Sequence, residues 1–157
     1  MQRKGLYPAP EGASPLPGLE VSGIIEDIGR STDQTPTSLQ VGDEVVALTN
    51  GGGYAEYVSV PWGQVLPKPA GWSFAEAATI PETFFTVQQT LIDRAKPGET
   101  DWVLVHGGSG GIGATAIQLA KLAGAKVLTT GSTDQKLTYC KQMGADVAIN
   151  YMTEDVV

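Results

Sequence analysis

The chain has 157 residues, of which 41% are hydrophobic and 17% are charged, and its formal net charge at pH 7 is −7. This balance supports a buried core and argues against intrinsic disorder. The acidic charge disfavours nucleic acids and anionic membranes as partners, because both repel a negative surface.

Cysteine and histidine each occur once, as Cys140 and His106. One cysteine cannot form an intrachain disulfide, and two such residues cannot supply the three or four ligands of a Cys/His zinc site. We therefore predict no metal site. No signal segment and no apolar run of about 18 residues is readable, so we expect a cytoplasmic protein without a membrane span.

Short strands separated by turns are predicted for the first part of the chain. Three runs rich in Val, Ile or Tyr, at 19–28, 45–48 and 54–60, are bounded by turn residues. The polar segment 31–40 is predicted to be a loop. Strands of this length and spacing favour a small barrel or sandwich, and we expect this domain to cover residues 1–79.

Helices are predicted for the middle of the chain. Ser73 and Glu76 have the spacing of a capping box, and Pro81 suits the first turn of a second helix that runs through Leu91. All ten prolines lie at or before Pro97. This change in composition indicates a second domain, which we expect over residues 80–157.

From residue 101 onward the pattern alternates between strand and helix. Apolar runs at 102–105, 126–130 and 147–150 predict buried parallel strands. A helix over 134–143 separates the last two. The helix between the first two is predicted to bury Ile112, Ala116, Leu119, Ala120 and Ala123. The order βαβαβ predicts an α/β domain that contains one half of a doubly wound parallel sheet.

A glycine-rich turn follows the first parallel strand. It contains the pattern G-x-G-x-x-G, with a strand before it and a helix after it. Glycines let the backbone approach a pyrophosphate, and a helix N-terminus offers N–H donors to it. The alternative is a tight turn without a ligand. We predict a dinucleotide site, with candidate residues Gly108, Ser109, Gly110, Gly111, Ile112 and Gly113.

The end of the second parallel strand bears on the choice of cofactor. NAD sites place an acidic residue there for the ribose hydroxyls, whereas this strand ends in Gly131 and Ser132. Lys136, four residues after Ser132, would reach a 2′-phosphate while Ser132 donates a hydrogen bond, so NADP(H) is favoured. Asp134 is the counter-evidence, because a slip of two or three residues would make it the ribose acid.

Three other side chains are considered for a role in the site, each beside a structural explanation. His106 stands at a strand end, where packing and turn geometry explain it better than acid catalysis. Cys140 lies beside Leu137 on a predicted helix and is expected in the core. Tyr7, in a proline-rich loop, either covers a flat ring or anchors the loop.

Taken in order, the motifs resemble the medium-chain dehydrogenase/reductase superfamily, in its zinc-free quinone oxidoreductase branch and especially the p53-inducible type. Each matching stretch alone is unspecific, but the set covers essentially the whole chain. The stretches are 2–7, 12–14, 18–20, 41–43, 51–53, 80–82 and the glycine turn that begins at His106.

The resemblance implies a GroES-like β-barrel, partial in this chain, followed by a Rossmann domain that binds NADPH. Zinc-using relatives have Gly-His-Glu where this chain has Gly18, Leu19 and Glu20. The position of the zinc-ligating histidine is thus occupied by Leu19. This substitution implies a zinc-independent enzyme and agrees with the count of possible ligands.

The same correspondence assigns contacts to the cofactor. Tyr7 would lie near the nicotinamide, and Thr86 on its helix would face the cofactor. The other contacts implied are Gly110, Gly111 and Ile112 at the pyrophosphate, Ser132 and Lys136 at the 2′-phosphate, and Tyr151 near the adenosine ribose-phosphate.

The implied activity is hydride transfer from NADPH to a quinone or another activated alkene or carbonyl, by a full-length homodimer. Family members begin a few tens of residues earlier and continue through the second half of the Rossmann sheet. We therefore expect these 157 residues to be a fragment that is a poor catalyst by itself.

Three other interpretations stay open. A short-chain dehydrogenase would fit Gly107, Gly111 and Gly113, but the residues four after Tyr139 and Tyr151 are not lysine. A zinc-free enoyl reductase of the same superfamily would have the same cofactor half. A truncated, non-catalytic nucleotide-binding protein would differ from both enzymes in failing to turn over a quinone with NADPH.

Overall fold

The computed structural model describes residues 4–29 and 38–156, so Gln2, Arg3 and most of the predicted loop at 31–40 lie outside the described residues. The chain forms two compact units, Met1–Glu82 and Thr83–Val157. The first is built on an antiparallel sheet and the second on a parallel one. Within the described ranges, no helix is long and apolar enough to cross a bilayer.

A three-stranded antiparallel sheet forms the centre of the first unit. Its middle strand buries Val45, Val46 and Ala47, because it has a neighbour on each side. Val46 lies opposite Ser22 on one neighbour and opposite Leu66 on the other. In chain order the elements are β1 (Glu20–Ile24), β2 (Glu44–Leu48), a 3₁₀ turn (Trp62–Gln64) and β3 (Val65–Pro67).

The strand predicted at 19–28 is shorter in the structure, since β1 ends at Ile24. Ile25 closes the ladder with two hydrogen bonds. Its N–H donates to the Asp43 carbonyl at 3.0 Å, and its carbonyl accepts from the Gly42 N–H at 2.8 Å. Residues 26–29 extend past the end of β2 and are exposed, so they have no strand to pair with in the described part of the chain.

The prediction of a strand at 54–60 is wrong, because these residues pair with no strand in the described ranges. The backbone turns back onto an earlier loop. There the Gly53 N–H donates to the Gly18 carbonyl at 3.1 Å, and the Tyr54 N–H donates to the Pro17 carbonyl at 3.0 Å. Alternating side chains make a strand only where a neighbouring backbone completes the ladder. Both edges of β2 are already taken by β1 and β3.

A short helix, α1 (Phe74–Ala77), confirms the predicted capping box. The Ser73 hydroxyl accepts from the Glu76 N–H at 3.2 Å, and the Glu76 carboxylate accepts from the Ser73 N–H at 2.9 Å. These hydrogen bonds hold the pKa of Glu76 below its ordinary value. The Ser22 hydroxyl donates to the Phe74 carbonyl and so attaches the helix to β1.

The helix predicted to begin at Pro81 is confirmed as α2 (Pro81–Val87), and it continues as a π-helix over Gln88–Ala95. Its wider turns begin where the Thr90 hydroxyl donates to the Thr86 carbonyl at 2.7 Å. A side chain that occupies a backbone acceptor competes with the regular α-helical ladder. The helix ends at Lys96, which has a φ of 51°.

The βαβαβ order predicted for the second part of the chain is confirmed. Three parallel strands lie side by side in sequence order, and a helix joins each to the next. Val105 lies opposite Thr129, and Gly131 lies opposite Asn150. The elements are β4 (Trp102–Val105), α3 (Gly111–Leu122), β5 (Lys126–Gly131), α4 (Asp134–Gln142) and β6 (Val147–Asn150).

The buried face of α3 differs from the predicted one. Ile117 and Ala120 are fully buried, whereas Ile112 is 45% exposed. The cause is Gly113, which lies against the backbone of the glycine turn and directs residues 113, 117 and 120 toward the sheet. The rest of this core consists of Val105, Ala125, Val127, Cys140 and Ala145.

One face of β4 is exposed, contrary to the expectation of a strand buried on both sides. Trp102 and Leu104 are 56% and 52% exposed, while Val105 is buried. Right-handed crossovers that progress in one direction put both helices on the same face of a parallel sheet. The other face therefore carries Trp102, whose ring lies 5.5 Å below the Lys126 ammonium.

Asp146 links the start of β5 to α3. Its carboxylate accepts hydrogen bonds from the Val127 N–H at 2.6 Å and from the Lys121 ammonium at 2.9 Å. Its own N–H donates to the Val127 carbonyl at 2.9 Å. The hydrogen bond from Val127, followed by that from Lys121, holds the pKa of Asp146 below its ordinary value.

We predict that Asp146→Asn lowers stability near neutral pH and flattens the loss of stability in acid. A carboxylate with a lowered folded-state pKa contributes stability that is present above its ordinary value of 3.8. That stability is lost as the pH falls through the folded-state value. Chemical denaturation of both proteins between about pH 2 and about pH 7 measures the difference. Parallel stability profiles would contradict the prediction.

Gly113→Ala should destabilise the second unit, although alanine is favoured over glycine in a helix by about 1 kcal/mol. Its Cβ would lie 2.6 Å from the Gly107 carbonyl oxygen and 2.7 Å from the Gly108 Cα. We expect a loss of about 1–3 kcal/mol in the free energy of unfolding. Gly110→Ala is the matched control, because its Cβ would meet only the Gly107 oxygen, at 3.6 Å. Equal stability of the two variants would show that the close contact is unimportant.

Candidate cofactor-binding site

The carboxyl ends of the three parallel strands meet at one edge of the sheet in the second unit. The Gly108 N–H donates to the Thr130 carbonyl at 3.2 Å, which joins the glycine turn to β5. The Tyr151 N–H donates to the Gly131 carbonyl at 3.1 Å, which joins the end of β6 to the end of β5. Ligands of doubly wound sheets bind at this edge. The structure thus brings the glycine turn, Ser132 and Tyr151 to the same edge.

Two glycines of the turn are required by packing. A Cβ on Gly108 would lie 2.1 Å from the Thr129 hydroxyl and 3.0 Å from the Cys140 sulfur. A Cβ on Gly113 would collide with the backbone of Gly107 and Gly108. Because Gly108 and Gly113 have no Cβ, the start of α3 packs closely against the end of β4.

The middle of the turn is open. Gly110 is the N-cap of α3 and contributes no capping side chain, and a Cβ there would have space. The first N–H groups of a helix have no intrahelical acceptor. The donors of Gly111, Ile112 and Gly113 therefore point out of the helix end, where its dipole is positive. Accessible backbone with uncapped donors fits a pyrophosphate.

Ser132 and Lys136 are in direct contact just after β5. The Lys136 ammonium donates a hydrogen bond to the Ser132 hydroxyl at 3.0 Å. Thr133 is the N-cap of α4, and its hydroxyl accepts from the Lys136 N–H at 3.4 Å. Within residues 4–29 and 38–156, Lys136 forms no ion pair. An ammonium and a hydroxyl are thus held together at the end of the strand.

Asp134 would be the ribose-binding acid of an NAD site if it stood at the strand end. In the structure it lies in the first turn of α4 instead. Its carboxylate accepts a hydrogen bond from the Asn150 side-chain amide at 3.3 Å. Asn150 is not among the contacts predicted from the sequence. The available signal was an asparagine at the end of the third strand, directly before the predicted contact Tyr151.

The remaining predicted contacts are distributed over both units. Tyr151 follows β6 and is 50% exposed, and Ser109 is half-buried in the glycine turn. Thr86 is half-buried on the part of α2 that belongs to the second unit. Tyr7 belongs to the first unit, where it is 57% exposed.

The contacts of His106 and Cys140 support the fold. The His106 Nδ1 lies 3.3 Å from the Thr130 hydroxyl, which anchors the turn to β5. Cys140 is fully buried, so its predicted place in the core is confirmed. Burial raises the pKa of its thiol, against a smaller lowering by the Thr129 hydroxyl. A buried thiol with a raised pKa is a weak nucleophile.

Two carboxylates that sequence analysis did not pair lie together in the first unit. Glu20 accepts a hydrogen bond from the Glu82 N–H at 2.9 Å, near the start of α2, where negative charge is favourable. Burial raises the pKa of Glu82, and the charge of Glu20 raises it further. Across the described ranges, no group of three or more His, Cys, Asp or Glu is placed to hold a metal ion.

Two family models match the chain in order. Residues 1–70 match the alcohol dehydrogenase GroES-like domain, and residues 111–157 match the zinc-binding dehydrogenase family. The first match covers the antiparallel sheet, and the second begins at α3. The predicted architecture, a GroES-like domain followed by a Rossmann-like parallel sheet, is thereby confirmed.

Individual relatives agree with these matches. Quinone oxidoreductase of Pongo abelii is 35% identical over 150 residues, which are 95% of this chain and 44% of that protein. The Escherichia coli quinone oxidoreductase complexed with NADPH has a TM-score of 0.82 at 32% identity, over 99% of this chain and 46% of that one. CurK enoyl reductase has a TM-score of 0.74 at 37% identity, over 86% of this chain and 40% of that one.

The chain spans less than half the length of the curated relatives that it matches. In this chain the GroES-like match precedes the dehydrogenase match, and the likeness to the Escherichia coli structure extends over 99% of its residues. On these grounds the chain belongs to the medium-chain dehydrogenase/reductase superfamily, with quinone oxidoreductases among its homologues.

Proposed function

We propose that the chain is the cofactor-binding part of an NADPH-dependent, zinc-independent reductase of quinones or other activated alkenes or carbonyls. One observation carries the proposal: the Lys136 ammonium and the Ser132 hydroxyl, 3.0 Å apart, stand at the same sheet edge as the open glycine turn. The likeness to a quinone oxidoreductase complexed with NADPH supports the same cofactor.

The chemistry of the strand end favours a 2′-phosphate over a 2′-hydroxyl. An NAD site needs a carboxylate acceptor for the ribose hydroxyls. Here the strand end carries an ammonium and a hydroxyl, which are the donors that a phosphate dianion requires. The carboxylate of Asp134 is engaged by Asn150.

In the proposed reaction, this chain holds the nucleotide in one orientation. The N–H groups of Gly111 and Ile112 would bind the pyrophosphate, and Ser132 and Lys136 would bind the 2′-phosphate. When bound, NADPH supplies the hydride. Holding reactants in a fixed orientation contributes about 7–11 kcal/mol to lowering a barrier in well-arranged systems.

The proposed class of acceptor does not require a metal ion. A quinone or an activated alkene takes up one hydride at carbon and one proton from a donor or from water, so no Lewis acid is needed. In the first unit, half-buried Leu19 stands where zinc-using relatives, by the sequence resemblance, have a ligating histidine. An apolar side chain at this position supports the zinc-independent branch.

An enoyl reductase is the second candidate, and the likeness to CurK enoyl reductase supports it. An enoyl thioester is also an activated alkene that accepts hydride and proton. The cofactor contacts would be the same in both enzymes, so the acceptor is what separates them.

The same proposal includes a full-length homodimer of the p53-inducible type that works in the cytoplasm. The order of the matching motifs supports the type, and the single cysteine supports a reducing compartment. The net charge of −7 supports a small-molecule substrate over nucleic acid or an anionic membrane.

Lys136→Ala should weaken NADPH binding about ten- to hundredfold and leave NADH binding nearly unchanged, because one charge-assisted hydrogen bond to the phosphate is lost. Lys141→Ala is the matched control, since it removes an exposed lysine from the same helix. It should change neither affinity. Titration calorimetry with each cofactor measures the effect. Equal losses for NADPH and NADH would show that Lys136 does not contact the phosphate.

The complete enzyme should oxidise NADPH with a quinone at a rate that a metal chelator does not reduce. The measurement is the loss of NADPH absorbance, with a 2-enoyl thioester as the second acceptor. Turnover of the thioester alone would favour the enoyl reductase. One tightly bound zinc per chain, found by metal analysis, would contradict zinc independence.

A further inference from the structure

The backbone N–H and the two side-chain polar atoms of Asn150 contact three different neighbours, and its carbonyl accepts from the Thr153 and Glu154 N–H groups. Its side-chain Nδ2 donates to the Asp134 carboxylate at 3.3 Å, and its backbone N–H donates to the Glu154 carboxylate at 3.0 Å. Its side-chain Oδ1 accepts from the Met152 N–H at 3.1 Å. Two of the three partners are carboxylates, so Asn150 is hydrogen-bonded to both acids, Asp134 on α4 and Glu154 after β6.

These carboxylates belong to the neighbourhood of the proposed 2′-phosphate contacts. Asn150 lies opposite Gly131, the residue before Ser132, on the adjacent strand. Asp134 is two residues after Ser132, in the first turn of α4. A carboxylate not held in this way would accept from the ribose hydroxyls, as in NAD sites, and would repel a 2′-phosphate.

The contacts of the Lys136 side chain agree with an arrangement in which the nearby carboxylates bind other partners. Across residues 4–29 and 38–156, the ammonium of Lys136 has no carboxylate within 4.0 Å, and it contacts the neutral Ser132 hydroxyl. The nearby acids are engaged by Asn150. The positive charge is thereby left available to an anion from solution.

We propose that Asn150 is a specificity-determining positioning residue: it holds the carboxylates of Asp134 and Glu154 in its own hydrogen bonds, so that the Ser132–Lys136 pair accepts a 2′-phosphate. The inference rests on the proposed use of NADPH and deepens it. Asn150 itself does not touch the cofactor in this scheme. It acts on the choice between NADPH and NADH through the position of the Asp134 charge.

The test compares 2′,5′-ADP, which carries the 2′-phosphate, with 5′-AMP, which does not. Asn150→Ala removes the contact with Asp134 and keeps the backbone donor to Glu154. We expect the dissociation constant for 2′,5′-ADP to rise about fivefold, the effect of one unit charge about 4 Å from another in water. The constant for 5′-AMP should stay the same or fall. Titration calorimetry on the 157-residue chain measures both.

The Asp134→Asn variant is the background that distinguishes an effect of the Asp134 charge from a structural effect of Asn150. In this background, Asn150→Ala should change the ratio of the two dissociation constants by less than about twofold, because the charge to be positioned is gone. A merely structural role of Asn150, through the Met152 N–H, would weaken both probes equally in both backgrounds and would overturn the inference. Asn150→Ser, which keeps a hydroxyl for that N–H, replaces the alanine variant if the latter unfolds.

The outcomes distinguish this inference from the proposed function. If the unsubstituted chain binds both probes equally, the proposal of NADPH use fails and the inference fails with it. If it prefers 2′,5′-ADP and keeps that preference in Asn150→Ala, only the inference is wrong. If Asp134→Asn alone abolishes the preference, the Asp134 charge assists binding and the inference is also wrong.

Discussion

The close approach of α3 to the turn after β4 is the contact on which the rest of the second unit depends. Because Gly108 and Gly113 have no Cβ, the helix backbone packs directly on the turn, and Ile117 and Cys140 close the core beneath it. The same approach leaves the first N–H groups of α3 at the carboxyl edge of the sheet without a side-chain cap. Tight packing and the uncapped helix N-terminus therefore have one cause.

The proposed anion site belongs to a chain whose net charge is −7, so the nearby acids bear on it. The carboxylate of Asp146, which precedes β6 at the amino ends of the strands, is engaged by Lys121 and the Val127 N–H. At the carboxyl ends, the carboxylate of Asp134 is engaged by Asn150. The hydrogen bond from Asn150 fixes the position of the Asp134 carboxylate without removing its charge. Over a few ångströms the N-terminus of α3 and the Lys136 ammonium supply positive charge, and exposed charges beyond about 10 Å are screened by salt.

Features with a local signal could be predicted from the sequence: the capping box of Ser73 and Glu76, the parallel strands and the glycine turn. The strand at 54–60 could not be excluded, because a strand forms only where a neighbouring backbone pairs with it, and local sequence does not show that. The buried face of α3 was misassigned, since periodicity does not show that Gly113 sets the rotation of the helix. Asn150 was not predicted for a similar reason, because its position opposite Gly131 arises only when β6 lies beside β5.

The exposed face of β4 also determines the tryptophan fluorescence of the second unit. Trp102 is the only tryptophan after residue 82, and its half-exposed indole lies beneath the Lys126 ammonium. An indole in contact with water fluoresces at longer wavelength than one in an apolar environment. Anything that covers this face of the sheet would shift the emission of Trp102 toward the blue. With Trp62 and Trp72 replaced by phenylalanine, the sheet would carry its own optical reporter of whether that face is covered.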